Sequence, residues 1–382
     1  MRRIATLVVL MAATTLLTVG VAFTQAPEED ADPYIVVLED SVGKPSRVAS
    51  EIDQRQEGFE VGFVYTEALE GFSAEIPDDS LADVRNNSRV AYVERDRQVT
   101  VTAQALPWGV DRIDAGRSST RAGNGSGAIS GVNIYVIDTG IDATHADLNV
   151  VRSDVNFHGG PDTDCYGHGT HVAGTLAAED NTGWVVGVAP GAPLTSVKVL
   201  GCGGSGTMSN VIEGIDWVTA NADEPAVANL SLSGRASNAL DSAVKRSAKS
   251  GVFYSVSAGN QGQNACKRSP ARAGAGTNNG IVTIAATKRS DEETSWSNFG
   301  RCVDRWAPGK KILSTRMGGG NRLMSGTSMA APHAGGTAAL YLSNHPHVPP
   351  TIVESVLRRD SERTDEKSKD GRRIRLVDAG RY

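Results

Sequence analysis

Aromatic residues make up only 5% of this 382-residue chain, and it has just four cysteines. A count that is low and even excludes a disulfide-dense scaffold and fits two bridges in an exported protein. No basic block is present, and 38 Lys and Arg against 44 Asp and Glu leave a net charge of −6. Nothing in that balance marks a nucleic-acid partner. Internal repeats and low-complexity segments are missing too, and beyond Phe23 no apolar run is long enough to span a bilayer. Glycine is what the chain has in quantity, 42 residues. Beside so few aromatics, it implies many tight turns and close backbone approaches, as in a loop-rich α/β protein. The length suffices for one large domain and one small one.

The first residues read as an export signal. Arg2 and Arg3 precede an apolar run over residues 4–23, and Thr24-Gln25-Ala26 offers small residues before a polar stretch. The run approaches the length of a membrane anchor, but its many Ala and Thr residues make it weakly apolar. Residues 1–26 are therefore assigned to a signal peptide cleaved after Ala26, which implies a secreted, extracellular protein with no stable membrane anchor.

Two units follow. In residues 27–100, a strand at 34–38, a polar helix at 46–56, strands at 61–65 and 71–76, a second helix at 80–85 and a last strand at 90–94 give a βαββαβ order. That order predicts a small α+β ferredoxin-like sandwich. Residues 98–104 are polar, lack a core pattern and read as a cleavable junction. In residues 101–382, apolar runs at 132–137, 194–200, 227–231, 252–258 and 281–286 do not alternate, as expected of parallel strands buried on both faces. Helices are predicted at 168–178, 209–221, 236–250, 327–342 and 351–358. The pattern is a doubly wound, mostly parallel α/β sheet, whose sites form beyond the carboxyl ends of its strands.

Three blocks carry chemistry. Val136-Ile137-Asp138-Thr139-Gly140 ends a strand on a carboxylate. Gly167-His168-Gly169-Thr170-His171 sets a histidine at a glycine-framed helix start, and Gly326-Thr327-Ser328-Met329-Ala330-Ala331-Pro332 does the same for a serine. A serine hydroxyl is a poor nucleophile until a base takes its proton. His168 is the candidate base, and Asp138 would fix its tautomer and stabilise the imidazolium. Each residue alone has a plain structural explanation; the order Asp, His, Ser within such blocks does not.

These blocks resemble those of the subtilisin-like serine proteases (subtilases), and the surrounding sequence is most similar to the proteinase K and aqualysin branch. Leu106-Pro107-Trp108-Gly109-Val110-Asp111-Arg112-Ile113 resembles the start of the mature enzymes of that branch. Residues 71–77 and 90–96 resemble the inhibitory prodomain of subtilases, of the inhibitor I9 type. The resemblance implies a zymogen that processes itself near Thr100–Val101, with residues 27–100 as intramolecular chaperone and inhibitor and 101–382 as the catalytic domain. It also implies protein or peptide substrates and a monomeric enzyme. Asn260, within Ser257-Ala258-Gly259-Asn260, matches the asparagine that donates to the oxyanion, with the Ser328 N–H as second donor.

Further residues follow by resemblance. The four cysteines would pair as Cys165–Cys202 and Cys266–Cys302, although spacing alone leaves all three connectivities open. Gly204-Ser205-Gly206 and Ser231-Leu232-Ser233-Gly234 match the two segments that flank an extended substrate. No acidic residue appears in those walls, which implies an apolar or aromatic P1 side chain. Asp304 matches a structural calcium ligand, with carbonyls near Asn279 and Ile281 completing the site. A glycine-rich insertion around residues 273–280 departs from the family there.

Other readings fit less well. Cys165, His168 and His171 superficially suggest zinc, but the spacing is poor and no fourth ligand stands out, so His171 reads as a half-buried structural histidine. Gly326-Thr327-Ser328-Met329-Ala330 nearly spells an esterase nucleophile elbow. Those enzymes place acid and histidine after the serine, and the 54 residues beyond Ser328 are too few for that fold. A catalytically inactive subtilase used for binding or inhibition would be expected to lack a triad or oxyanion residue, and none is lacking.

Overall fold

The structure, a computed structural model, describes residues 31–39, 41–56, 58–96, 104–276 and 278–382. The signal peptide assigned to residues 1–26 and the cut expected near Thr100–Val101 lie outside the described residues. The chain divides into two compact units, one within residues 1–100 and one within 101–382.

In the first unit β1 (Ala31–Leu38), α1 (Pro45–Asp53), β2 (Glu60–Tyr65), β3 (Gly71–Pro77), α2 (Leu81–Arg85) and β4 (Val90–Arg95) follow the βαββαβ order. The sheet runs β2-β3-β1-β4, antiparallel throughout. One face is covered: Val36 and Leu38 of β1 and Phe72, Ala74 and Ile76 of β3 pack with Val48, Ala49 and Ile52 of α1. Residues two apart on a strand share a face, so this alternation gathers these apolar side chains on the helix-covered side of the sheet. Gly71 is required by the pairing itself, because a Cβ there would stand 2.3 Å from the Val36 carbonyl oxygen.

The second unit is built on nine strands: β5 (Asn133–Asp138), β6 (Val150–Asn156), β7 (Leu194–Lys198), β8 (Ala226–Leu230), β9 (Val252–Ser257), β10 (Ile281–Thr287), β11 (Arg305–Pro308), β12 (Glu362–Lys367) and β13 (Arg373–Leu376). Their order is β12-β13-β11-β10-β9-β8-β5-β7-β6, parallel except for the β12–β13 pair. Helices α3 (His168–Ala177) and α6 (Thr327–Asn344) cover one face, and α4 (Met208–Asn221) and α5 (Asn238–Lys249) the other. Strand β5 shows why its run is unbroken: Ile134 and Val136 pack into the first layer, Tyr135 and Ile137 into the second. The last helix, α7 (Pro350–Asp360), packs on α6.

The expected strands and helices are present with ends shifted by a few residues; β6, β11, β12 and β13 were not anticipated. β6 and β12 are the sheet's edges, with sequences VVRSDVN and ERTDEK. Charge on an edge strand blocks pairing with other chains and also erases the hydrophobic signature of a strand. The junction read over residues 98–104 also ends too late. Gln104 is anchored in the second unit, its Nε2 donating to the carbonyls of Glu179 and Val185 at 2.6 and 2.8 Å.

Candidate active site

Asp138 is the last residue of β5 and is fully buried at the strand's carboxyl end. Its Oδ1 accepts from its neighbour's amide, Thr139 N, at 2.7 Å and meets His168 Nδ1 at 2.7 Å. Pairing with an acceptor makes Nδ1 the protonated ring nitrogen and leaves Nε2 as a base. His168 opens α3, and Gly167 before it has φ +90, a conformation that favours glycine. Gly169 is equally constrained, since a Cβ would lie 2.1 Å from the Gly140 carbonyl oxygen. Burial alone would lower the His168 pKa, but the charge and hydrogen bond of Asp138, with Asp164 behind, outweigh it and hold the pKa above the ordinary value.

Asp164 was not singled out in the sequence, yet it organises this corner. It is buried, and its Oδ1 accepts from Thr139 Oγ1 and the amides of Tyr166 and Gly167 at 2.9, 3.0 and 2.8 Å. Its Oδ2 accepts from Thr170 N and Thr170 Oγ1 at 2.9 and 2.6 Å. One carboxylate thus ties the approach to α3, its first turn and the residue after Asp138. Lys198, at the end of β7, is buried beside this group and donates to the Thr139 carbonyl. Burial lowers its pKa, and Asp164 and Asp138 oppose that shift. An acidic residue four positions before a helix-opening histidine was the available clue.

Ser328 is the second residue of α6, and its hydroxyl donates to the Ser231 carbonyl at 2.9 Å. Among the described residues no hydrogen bond joins it to His168. Pro332 lies four residues on and has no N–H, so the Ser328 carbonyl lacks its helical donor. Ser231 Oγ fills that place at 2.7 Å and in turn accepts from Asn229 Nδ2 at 2.9 Å. The proline therefore stitches the serine to the carboxyl end of β8. Asn260 is exposed, and its Oδ1 accepts from both Thr327 N and Thr327 Oγ1 at 2.8 Å. With the amide oxygen engaged, Nδ2 is the end left to donate elsewhere. Thr327 Oγ1 also accepts from Gly259 N at 3.0 Å.

All seven residues proposed as substrate walls, Gly204, Ser205, Gly206, Ser231, Leu232, Ser233 and Gly234, line one cleft of about 330 Å³ that His168 also borders. Its apolar lining comes from Leu200, Met208, Val211, Leu232 and Leu240. Gly204 has φ +70 and lies under the Tyr166 ring, 2.6 Å from where a Cβ would sit. Disulfides join Cys165 to Cys202 and Cys266 to Cys302. The first links the segment just before His168 to the 201–206 wall.

The metal expectations meet a different structure. Cys165 is in a disulfide, and His171 is fully rather than half buried, with Nε2 3.1 Å from the carbonyl oxygens of both Ile312 and Arg322. Burial pushes its pKa down to about 4. Both carboxylate oxygens of Asp304 have partners within the chain. Its Oδ2 accepts from Thr283 N and its Oδ1 from Arg358 Nη1, both at 2.9 Å. In the 278–280 loop the N–H groups of Asn278, Asn279 and Gly280 all donate to Glu354. Among the described residues no group of three or more His, Cys, Asp or Glu is placed to hold a metal.

Comparison with known proteins adds an independent line. Residues 130–374 match the Subtilase family, and residues 33–102 match the peptidase inhibitor I9 family. An extracellular serine proteinase of Thermus sp. (strain Rt41A) is 45% identical over 314 residues, covering 79% of this chain and 73% of that protein. An alkaline serine exoprotease A of Vibrio alginolyticus is 41% identical, covering 86% of this chain and 63% of its own length. Among solved structures, a cold-adapted subtilisin-like serine proteinase aligns with TM-score 0.63 at 40% identity, over 73% of this chain and 99% of that one.

Proposed function

The chain belongs to the subtilase family of serine endopeptidases, and we propose that it hydrolyses peptide bonds through Asp138, His168 and Ser328. The observation that carries this reading is the 2.7 Å pair between Asp138 and His168 Nδ1, which leaves Nε2 free to act as a base. Substrate lies extended between residues 204–206 and 231–234 and is held mainly by main-chain hydrogen bonds. The Ser328 hydroxyl leaves the Ser231 carbonyl and gives its proton to His168 Nε2 as it attacks the scissile carbonyl. Catalytic hydrogen bonds often tighten only when substrate is bound. His168 then passes the proton to the leaving amine, and the acyl group on Ser328 is released by water that the same base activates.

The tetrahedral intermediate carries a negative oxygen. Asn260 Nδ2 and the Ser328 amide at the start of α6 are its donors, and Thr327 aims the asparagine by binding the far end of its amide. The apolar lining of the cleft supports acceptance of large apolar side chains. We read residues 27–100 as a prodomain that inhibits the enzyme and assists its folding, residues 101–382 as the catalytic domain, and the product as secreted. The match of residues 33–102 to the peptidase inhibitor I9 family and the extracellular naming of the Thermus relative support this.

Kinetics on a chromogenic peptide with an aromatic P1 residue test the mechanism. Removing one oxyanion donor from subtilisin is the reference case, and on that scale Asn260→Ala lowers kcat roughly 10²–10³-fold with KM little changed. Ser328→Ala costs on the order of 10⁶ in kcat. An Asn260→Ala effect confined to KM would move this residue from transition-state stabilisation to substrate binding.

A further inference from the structure

Two carboxylates lie close together beside Gly276 and residues 278–280, far in sequence from the cleft. Asp304 is 5% exposed and Glu354 is fully buried. Buried anions need a cation, and here it is already part of the chain. Arg358 Nη1 donates to Asp304 Oδ1 at 2.9 Å, to Glu354 Oε1 at 3.1 Å and to the Gly276 carbonyl at 2.7 Å. We propose that the Arg358 guanidinium occupies the position a divalent ion would take between these three oxygens, so that this loop is held without calcium.

Distance and charge both support the assignment. Calcium binds oxygen at about 2.3–2.6 Å and takes six to eight such ligands. The separations here are those of N–H···O bonds. The remaining oxygens are committed as well: Asp304 Oδ2 to Thr283 N, Glu354 Oε2 to Asn279 N at 2.6 Å and Gly280 N at 2.9 Å. A second guanidinium stands against the group, since Arg305 Nη1 donates to the Asp304 carbonyl at 2.6 Å. Arg358 therefore already supplies the cation that the two carboxylates share, and Arg305 adds a second positive charge beside Asp304 that a dication would have to meet. Such an ion would also have to displace Arg358 Nη1.

The clamp works at both ends of the loop. Arg358 takes the Gly276 carbonyl, while Glu354, one turn earlier on α7, takes the amides of residues 278–280. Gly276 and residues 278–280 are thereby fastened to a helix by fixed charge. This arrangement holds whether or not the cleft is a protease site.

The test is thermal unfolding of the full chain carrying Ser328→Ala, in EDTA and in millimolar calcium chloride. Breaking a buried ion pair by removing one partner is strongly destabilising, so Arg358→Met should lower Tm in EDTA by roughly 5–10 °C. Any calcium-induced rise should be the same in the parent and in Asp304→Asn, because none of it passes through Asp304. The proposal is overturned if Asp304→Asn abolishes a rise that the parent shows. It is overturned equally if Arg358→Met unfolds at the parent's temperature in EDTA. Should Asp304→Asn not fold, the Arg358→Met comparison alone decides, with Arg358→Lys expected to fall between it and the parent.

Discussion

Acidification should weaken this fold through its buried neutral histidines, and the structure sizes the effect for His171. The ring is fully enclosed in α3 one turn after His168, and burial pushes its pKa down to about 4. In the unfolded chain an imidazole titrates near 6.5. A pKa depressed by folding contributes stability that is complete above about 6.5 and lost as pH falls through about 4, because the unfolded chain binds the proton first. The gap between the two values corresponds to about 3 kcal/mol, a large share of the 5–15 kcal/mol that holds a typical domain. His333 is equally enclosed and is also pushed down to about 4. Asp304 works in the opposite direction, since burial pushes its carboxyl up to about 7 against the Thr283 amide and Arg358. The total pH curve therefore mixes signs, whereas a variant compared with its parent isolates one residue. Urea unfolding at about pH 7.5 and 4.5 should be measured on the Ser328→Ala chain with and without His171→Gln, whose amide can still donate to the Ile312 carbonyl. The glutamine variant should lose about 2–3 kcal/mol less than its parent between the two pH values, since pH 4.5 stops short of the folded pKa. Equal losses would show that His171 is not held neutral, and the reasoning would fail.

Autoprocessing gives a second check: the unaltered chain expressed without other proteases should yield a product beginning near Val101, and Ser328→Ala should remain uncut. A Ser328→Ala chain that matures normally would refute self-cleavage. The acid limb of kcat/KM should lie above the ordinary histidine value, because Asp138 and Asp164 favour the imidazolium; a profile peaking near pH 4 would point to carboxylate chemistry instead. Gly204→Val should raise KM far more than it lowers kcat, since a side chain there meets the Tyr166 ring at a backbone conformation valine resists. A fall in kcat alone would place Gly204 outside the substrate wall.

What the sequence made legible was whatever is written locally. Runs such as residues 132–137 and 252–258 announce strands buried on both faces, and the blocks around Asp138, His168 and Ser328 bring their own glycines. The opaque parts depend on partners remote in the chain. Edge strand β12 carries charges where a core strand would carry valines. Asp304 was assigned by position to calcium, and only the fold shows an arginine 54 residues away on its Oδ1. Pro332 shows the same limit inside the site. Read along the chain, a proline in α6 is a defect that removes one helical hydrogen bond. In three dimensions the freed acceptor is the carbonyl of Ser328, and the donor that takes it comes from Ser231, on the wall of the cleft. The residue that spoils the helix is thus what allows the Ser328 backbone to be bonded to the cleft wall. That pairing follows only when β8 and α6 are known to meet, because neither segment alone contains both halves of the bond.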